Sequence, residues 1–403
     1  MRRVLLVNSS VYLPGEGGYK RTLYMFDMMR REGYDVTLIT SDFNHYKKQP
    51  RDIAAFRKEY PDYGGIEFLH MPSYPKNICL KRIFAEKAWS RAFGKWFKKN
   101  YDRFDVVFFS DIDYVYPVMK TCKKRSIKTI VDVRDLRPEA FRVVVKNEFL
   151  YNLLFWGMKL KADKGYAFLD ELTAVSREYL DRALRVNKKP VNPRVVYLGS
   201  TIEKFDDGVK KYGAVYARED GEFRITYAGT LGESYDLATL IKAAAEIKKE
   251  YGERVRFKIL GQGPDLDKLL RLKKEVGADN VEFVGFLPYE RMAAYLANSD
   301  LTVNAVKKTA SQSIINKVAD YFAAGAPMLN GCSCKEQRDM VDEYGAGLNY
   351  EPENVGDMVE KIKTLIENAD LRKSMGEAAR KLALEKFDRK TSYKELLKRI
   401  DEV

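Results

Sequence analysis

Residues 304–330 read NAVKKTASQSIINKVADYFAAGAPMLN, and the reading of this stretch decides the fold. A short apolar segment, Asp300 to Val303, leads into a polar Lys/Thr/Ser/Gln loop and then a helical pattern that closes at Gly325 and Pro327. The order is strand, loop, helix, strand. In a parallel α/β sheet, ligands sit outside the carboxyl ends of the strands, and a helix starting there aims its free backbone N–H groups at them. A phosphate suits that mouth. Asp320, expected about two turns into the helix, can accept hydrogen bonds from sugar hydroxyls, so phosphate and ribose together point to a nucleotide.

Working outward, the same alternation recurs. Phe223 to Ala228 (FRITYA) ends at Gly229, with a helix expected from about Tyr235; Val255 to Leu260 ends in G-Q-G-P, with a helix from Asp265; Val281 to Val284 ends in G-F-L-P, with a helix from Tyr289. Strand, glycine turn and helix in repetition predict a parallel sheet. The first half repeats the theme with strands at 3–8, 35–40, 66–71, 105–109, 129–133, 171–175 and 195–197, so the class is α/β. Residues 41–64 read as an irregular excursion and 200–222 as a polar linker. Charged helices occupy 354–368, 371–386 and 389–401.

With 403 residues the chain is long enough for two full cores. No run approaches the roughly 18 apolar residues of a membrane span, and Val4 to Val7 is too short for a signal-peptide core. Four cysteines, Cys79, Cys122, Cys332 and Cys334, fit neither a disulfide framework nor a zinc site, which suggests reducing cytoplasm. His45 and His70 are the only histidines, leaving little material for a histidine-assisted nucleophile. Asp111 and Asp113 have metal-site spacing but read as helix caps, so no metal is expected. The charge is lopsided: residues 1–200 hold 38 Lys/Arg against 23 Asp/Glu, a net of +15, whereas residues 201–403 hold 33 against 35, a net of −2. With no nucleic-acid-reading motif beside it, the basic half points to an anionic membrane surface or a phosphorylated substrate, and nucleic acid is not expected.

Several motifs carry a resemblance. Y-A-G-T-L, L-G-Q-G-P, V-E-F-V-G-F-L-P and N-K-V-A-D-Y-F-A-A-G-A-P stand in the order and spacing of GT-B glycosyltransferases of family 4, and the last string is similar to a bacterial subgroup that makes surface polysaccharides. G-G-Y-K-R after the first strand resembles the family's G-G-x-x-R, and R-D-L-R-P at 134–138 its R-D-L-W-P. The resemblance implies two Rossmann-like α/β/α domains facing a central cleft: residues 1–200 for the acceptor, 201–385 for the nucleotide sugar, and a helix at 386–403 packing back on the first. It implies a retaining, metal-independent hexosyltransferase with no cofactor, whose donor is a UDP or GDP sugar.

By the same resemblance Gly17, Gly18 and Arg21 face the donor. Gly229 and Thr230 lie beside the diphosphate, Gly261 and Gly263 line the site, Phe286 and Leu287 offer backbone to the base, and Asp320 takes the ribose. Gln312 and Ser313 precede the helix, where the N–H groups of Ile314, Ile315 and Asn316 hold phosphate oxygens; Arg134, Asp135 and Lys317 are the catalytic candidates. The family commonly carries Arg and Lys where this chain has Thr230 and Asp236, so Lys317, Lys307, Lys308 or Arg21 must supply positive charge, and Gln312 replaces the usual first Glu. That departure keeps open a non-catalytic, glycosyltransferase-like binding or assembly protein, and a nucleotide-sugar epimerase of GT-B architecture is a further alternative. The pattern KRIFAEKAWSRAFGKWFKK at 81–99 reads as a basic amphipathic helix and 146–169 as a second aromatic-rich one. Together with the basic half they predict a glycan or lipid-linked acceptor, met at the inner face of the cell membrane by a cytoplasmic, peripheral protein.

Overall fold

The computed structural model describes residues 2–16, 18, 20–77, 79–143, 145, 147–187, 189, 192–310 and 314–403. The chain divides into one compact unit of residues 1–196 with 393–403, and a second of residues 197–392.

In the first unit the strands are β1 (Arg3–Val7), β2 (Asp35–Ser41), a small hairpin β3 (Phe43–Asn44) and β4 (Gln49–Pro50), then β5 (Ile66–Leu69), β6 (Val106–Phe109), β7 (Lys128–Val133), β8 (Glu171–Ala174) and β9 (Arg194–Val195). Seven of them form a parallel sheet in the order β5-β2-β1-β6-β7-β8-β9. Val4 to Val7 and Val106 to Phe109 are apolar at every position because helices cover both faces of a parallel sheet, and all eight side chains are buried. Trp89, Phe93 and Phe97 of the Leu80–Asn100 helix fill one face. On the other face Tyr393, Leu396, Leu397 and Ile400 of the C-terminal segment pack with Val4, Leu6 and Leu38. The helix Lys394–Glu402 is fixed there by Tyr34, whose hydroxyl donates to Asp401 at 2.7 Å.

The second unit holds β10 (Phe223–Ala228), β11 (Val255–Leu260), β12 (Val281–Gly285), β13 (Leu301–Asn304), β14 (Met328–Asn330) and β15 (Gly347–Asn349), parallel in the order β12-β11-β10-β13-β14-β15. The chain winds outward from β10 in one direction and then from β13 in the other. The crevice beyond the carboxyl ends of β10 and β13 is therefore the topological switch point, where ligands of such sheets bind.

Two expectations change. Residues 200–222, read as a polar linker, contain the helix Ile202–Tyr212, whose Ile202 and Phe205 are buried. It packs on the Tyr289–Ala297 helix so closely that a Cβ on Gly208 would fall 2.5 Å from the Glu290 carbonyl oxygen. Residues 41–64, expected to be irregular, contain the β3/β4 hairpin and the helix Ile53–Glu59, started by Asp52 accepting the Ala55 N–H at 2.9 Å.

Candidate functional site

The switch point is built on glycines. Gly229, just past β10, donates its N–H to the Leu260 carbonyl at 2.9 Å, and Gly261, just past β11, donates to the Gly285 carbonyl at 2.8 Å. A Cβ on Gly261 would lie 1.8 Å from the Gly229 oxygen, and its φ of +134° also excludes other residues; a Cβ on Gly263 would lie 2.1 Å from the Leu231 oxygen. These glycines let three strand ends converge into a floor with no side chains. Thr230 is exposed beside it, and Phe286, after β12, is 67% exposed while Leu287 is half-buried in the core.

Lys317 covers this floor. It opens the helix Lys317–Ala323, and its Nζ reaches back to within 2.5 Å of where a Cβ on Gly229 would be. The ammonium donates to the Tyr227 hydroxyl at 2.9 Å, lies 4.2 Å from the centre of that ring and 3.7 Å from the centre of Tyr235. Tyr227 in turn donates to the Thr230 carbonyl at 2.8 Å. Burial alone pushes the Lys317 amine well below the usual lysine range; no carboxylate among the described residues offsets it. Rings stabilise a cation without neutralising it, so the amine stands ready for an anion. Next to it, Asn316 Oδ1 is buried and has no hydrogen-bond partner among the described residues.

Asp236, which stands where the resembling family carries Lys, is a buried helix cap: its carboxylate accepts the Thr239 N–H at 3.3 Å and the Glu353 N–H at 3.1 Å. Asp320 lies in the first turn of its helix rather than two turns in, because the helix begins only at Lys317. It is buried, and its Oδ1 accepts from Ser200 Oγ at 2.7 Å and from the Tyr289 hydroxyl at 2.8 Å. Burial and the Asp320 charge raise the Tyr289 phenol, which stays protonated as a donor. Ile314 is buried and Ile315 half-buried in the core behind the helix start. Gln312 and Ser313, like Gly17, lie outside the described residues.

Sequence reasoning missed four groups here: Tyr227, Tyr235, Ser200 with Tyr289, and an amide ladder. In the ladder Asn304 donates to Asn330 at 3.0 Å, Asn330 to Asn349 at 2.7 Å, and Gln337 also donates to Asn330 at 2.8 Å. The signal was present, since LTVN, MLN and GLN each end an apolar strand in asparagine and the three pair in register.

Gly18, Arg21, Arg134 and Asp135 belong to the first unit. Arg21, expected at the donor, is instead a buried core cation: Nε and Nη2 bind Asp132 at 2.8 and 2.9 Å, and Nη1 donates to the Tyr393 hydroxyl at 2.8 Å. Its charge is already spent on Asp132. Gly18 serves packing, since a Cβ there would fall 2.3 Å from the Tyr12 ring. Arg134 donates to the Ser110 carbonyl at 3.1 Å and to Thr22 Oγ1 at 3.1 Å. Asp135 is half-exposed and 3.7 Å from Arg137, which also meets Glu86 at 2.9 Å, Asp113 at 3.2 Å and Asp111 at 4.0 Å. Asp111 caps the turn that follows β6 by accepting the Asp113 N–H at 3.1 Å, and burial pushes its carboxyl up to about 7 against the pull of Arg137.

Across 99% of its length the chain is 24% identical to an uncharacterized glycosyltransferase of Methanocaldococcus jannaschii, MJ1069, of which it covers 98%. It is 22% identical, over 89% of its length and 90% of the relative's, to the Escherichia coli protein named as a colanic acid biosynthesis glycosyl transferase, WcaI. In structure it is similar to Anabaena Alr3699/HepE in complex with UDP, with a TM-score of 0.70, 14% identity and full coverage of both chains, which is likeness of fold. Both sheets are those of the GT-B glycosyltransferase architecture. Residues 210–382, all within the second unit, match the family described as Glycosyl transferases group 1.

Proposed function

We propose that this protein is a retaining glycosyltransferase that moves a sugar from a UDP or GDP sugar to a glycan or lipid-linked acceptor in surface polysaccharide or glycoconjugate synthesis. The observation that carries the reading is Lys317: a cation without a carboxylate, seated on the Gly229 floor at the switch point of the second sheet. Glycosyl transfer builds positive charge on the anomeric carbon and negative charge on the departing diphosphate, so the chemistry needs a fixed cation and N–H groups at the leaving group. Lys317 supplies the first, and the backbone of Ile314 to Asn316 the second. The leaving phosphate takes the proton of the acceptor hydroxyl, and no enzymic base is required. Phe286 and Leu287 flank the base, while Asp320, with the hydroxyls of Ser200 and Tyr289, reads the ribose. Arg134 and Asp135 serve the transferred sugar from the first unit, and no cofactor or metal takes part.

The first unit engages the acceptor at an anionic membrane face from the cytoplasmic side. Its net charge of +15 favours such a surface, and no helix among the described residues is long and apolar enough to cross a membrane. A panel of UDP and GDP sugars tests the reading. Release of nucleotide diphosphate on addition of membrane extract is the expected result; tight donor binding with no release would replace the enzyme with a binding protein, and inverted sugar configuration without release would indicate an epimerase.

A further inference from the structure

The basic helix and the aromatic-rich helix of the first unit turn out to differ. In Leu80–Asn100 the apolar stripe Ala85, Trp89, Phe93 and Phe97 is buried, as a core helix requires. In Glu148–Phe168 only Tyr151, Ala162, Gly165 and Tyr166 are buried. Phe149, Leu153 and Trp156 are 79%, 69% and 66% exposed, and with Leu160 they stand at i, i+4, i+7 and i+11, one continuous ridge facing away from the core. An exposed stripe of this size on a helix marks a docking face.

Beside the ridge, between the two helices, lies a cavity of about 320 Å³. Ile83, Pro117, Phe141 and Met158 give it apolar walls, and Lys87, Arg91 and Lys161 line it with positive charge. Its two acids are engaged in ion pairs, Glu86 with Arg82 and Arg137, and Asp113 with Arg137, which also faces Asp111 and Asp135. The three cations have no carboxylate partner among the described residues and are exposed. The volume is at the low end for a ligand pocket, enough for an anionic head and the first part of a chain.

We propose that this cavity binds the phosphate of a phosphate-linked lipid, with Lys87, Arg91 and Lys161 on the anion, the apolar walls on the start of the chain, and the Phe149–Leu160 ridge inserted in the bilayer beside it. The inference rests on the reading of a lipid-linked acceptor and adds where that lipid is held. It also separates two forces: the cations act over a screened distance, whereas the ridge is held by apolar burial, which salt does not release.

The test uses the full chain and phosphatidylcholine vesicles containing either a prenyl monophosphate or phosphatidylglycerol, matched in surface charge. Flotation should favour the prenyl phosphate at least tenfold. Trp156 emission should shift to the blue, a clear signal because Trp89 is buried and Trp96 is half-buried. Arg91→Glu with Lys161→Glu, both on exposed positions, should abolish the tenfold preference, and Leu153→Ser with Trp156→Ser should weaken flotation on both vesicles, even in high salt. Equal binding to the two vesicle types, unchanged in the charge-reversed variant, would overturn the cavity site while leaving the membrane reading in place. Displacement by millimolar inorganic phosphate alone would show a site for free phosphate and overturn the lipid. Absence of flotation with every vesicle would bring down both the cavity site and the lipid-linked acceptor, with nucleotide release by the second unit judged separately.

Discussion

Arg21 in the first unit and Lys317 in the second are cations held in opposite ways. In the first unit Arg21 has Asp132, Arg137 has Glu86, Asp111, Asp113 and Asp135, and Arg182 has Glu139 and Asp163 at 2.6 Å. In the second unit Lys317 has two tyrosine rings and one hydroxyl. A buried pair is a structural device, costly to break because its survivor is left charged in the interior. An amine kept without a carboxylate is disfavoured in its charged form until an anion arrives. The contrast marks Arg21 as architecture and, under the proposed function, Lys317 as the group that meets the ligand.

The largest effect expected from this contrast is on folding. Arg21→Ala leaves buried Asp132 only the Thr173 hydroxyl and the more distant Arg134, 3.9 Å away, and should cost about 3–5 kcal/mol in denaturant unfolding; a loss below 1 kcal/mol would erase the distinction between the two cations. Lys317→Met is the reciprocal case. It should leave stability level or raise it, because a desolvated amine is replaced by an apolar side chain, yet weaken nucleotide-sugar binding by about 1.5–3 kcal/mol, more than tenfold. Loss of stability with unaltered donor affinity, read by calorimetry, would reverse the assignment. Asp320→Asn keeps the packing but removes the charge and should weaken the donor by a smaller factor, of order tenfold.

The pH dependence sharpens the same comparison. Burial holds the Lys317 amine low in the free protein, and a bound diphosphate favours its charged form, so donor binding takes up a proton. Affinity therefore falls as pH rises, and calorimetric heats in buffers of different ionisation enthalpy should show net uptake; none would mean that Lys317 does not meet the diphosphate. In the first unit the sign concerns stability. Asp111, raised to about 7 by burial, favours the fold fully when protonated below about pH 4, and that contribution is lost as pH rises to about 7. Asp111→Asn should flatten this slope in unfolding measured from pH 4 to 8. An unchanged slope would show that Arg137 cancels the burial cost.

Much of the fold was legible because its signals are local. All-apolar runs such as RVLLV and FRITYA mark strands covered on both faces, and glycine after a strand marks the turn that a ligand floor needs. The Ile202–Tyr212 helix was missed for the opposite reason: its charged residues dominate the composition, and only packing of Ile202, Phe205 and Gly208 on a neighbouring helix gives it a place. The site was half legible. Asp320 stood out by its place in the expected helix and Lys317 by resemblance to a family motif, but the sequence did not show Tyr227 and Tyr235 around Lys317, or Ser200 and Tyr289 on Asp320.

By itself the sequence determined the α/β alternation, the glycine-ended strands and the candidate stretch around Lys317, since each depends on neighbours a few positions away. Only the tertiary structure decided which charges are spent. Arg21 meets a carboxylate 111 positions along the chain and a tyrosine 372 positions along, and Lys317 meets a hydroxyl 90 positions before it and, among the described residues, no acid. No local pattern encodes such meetings, because the energy of a charge is set by what folding brings within a few ångströms and by the water it excludes.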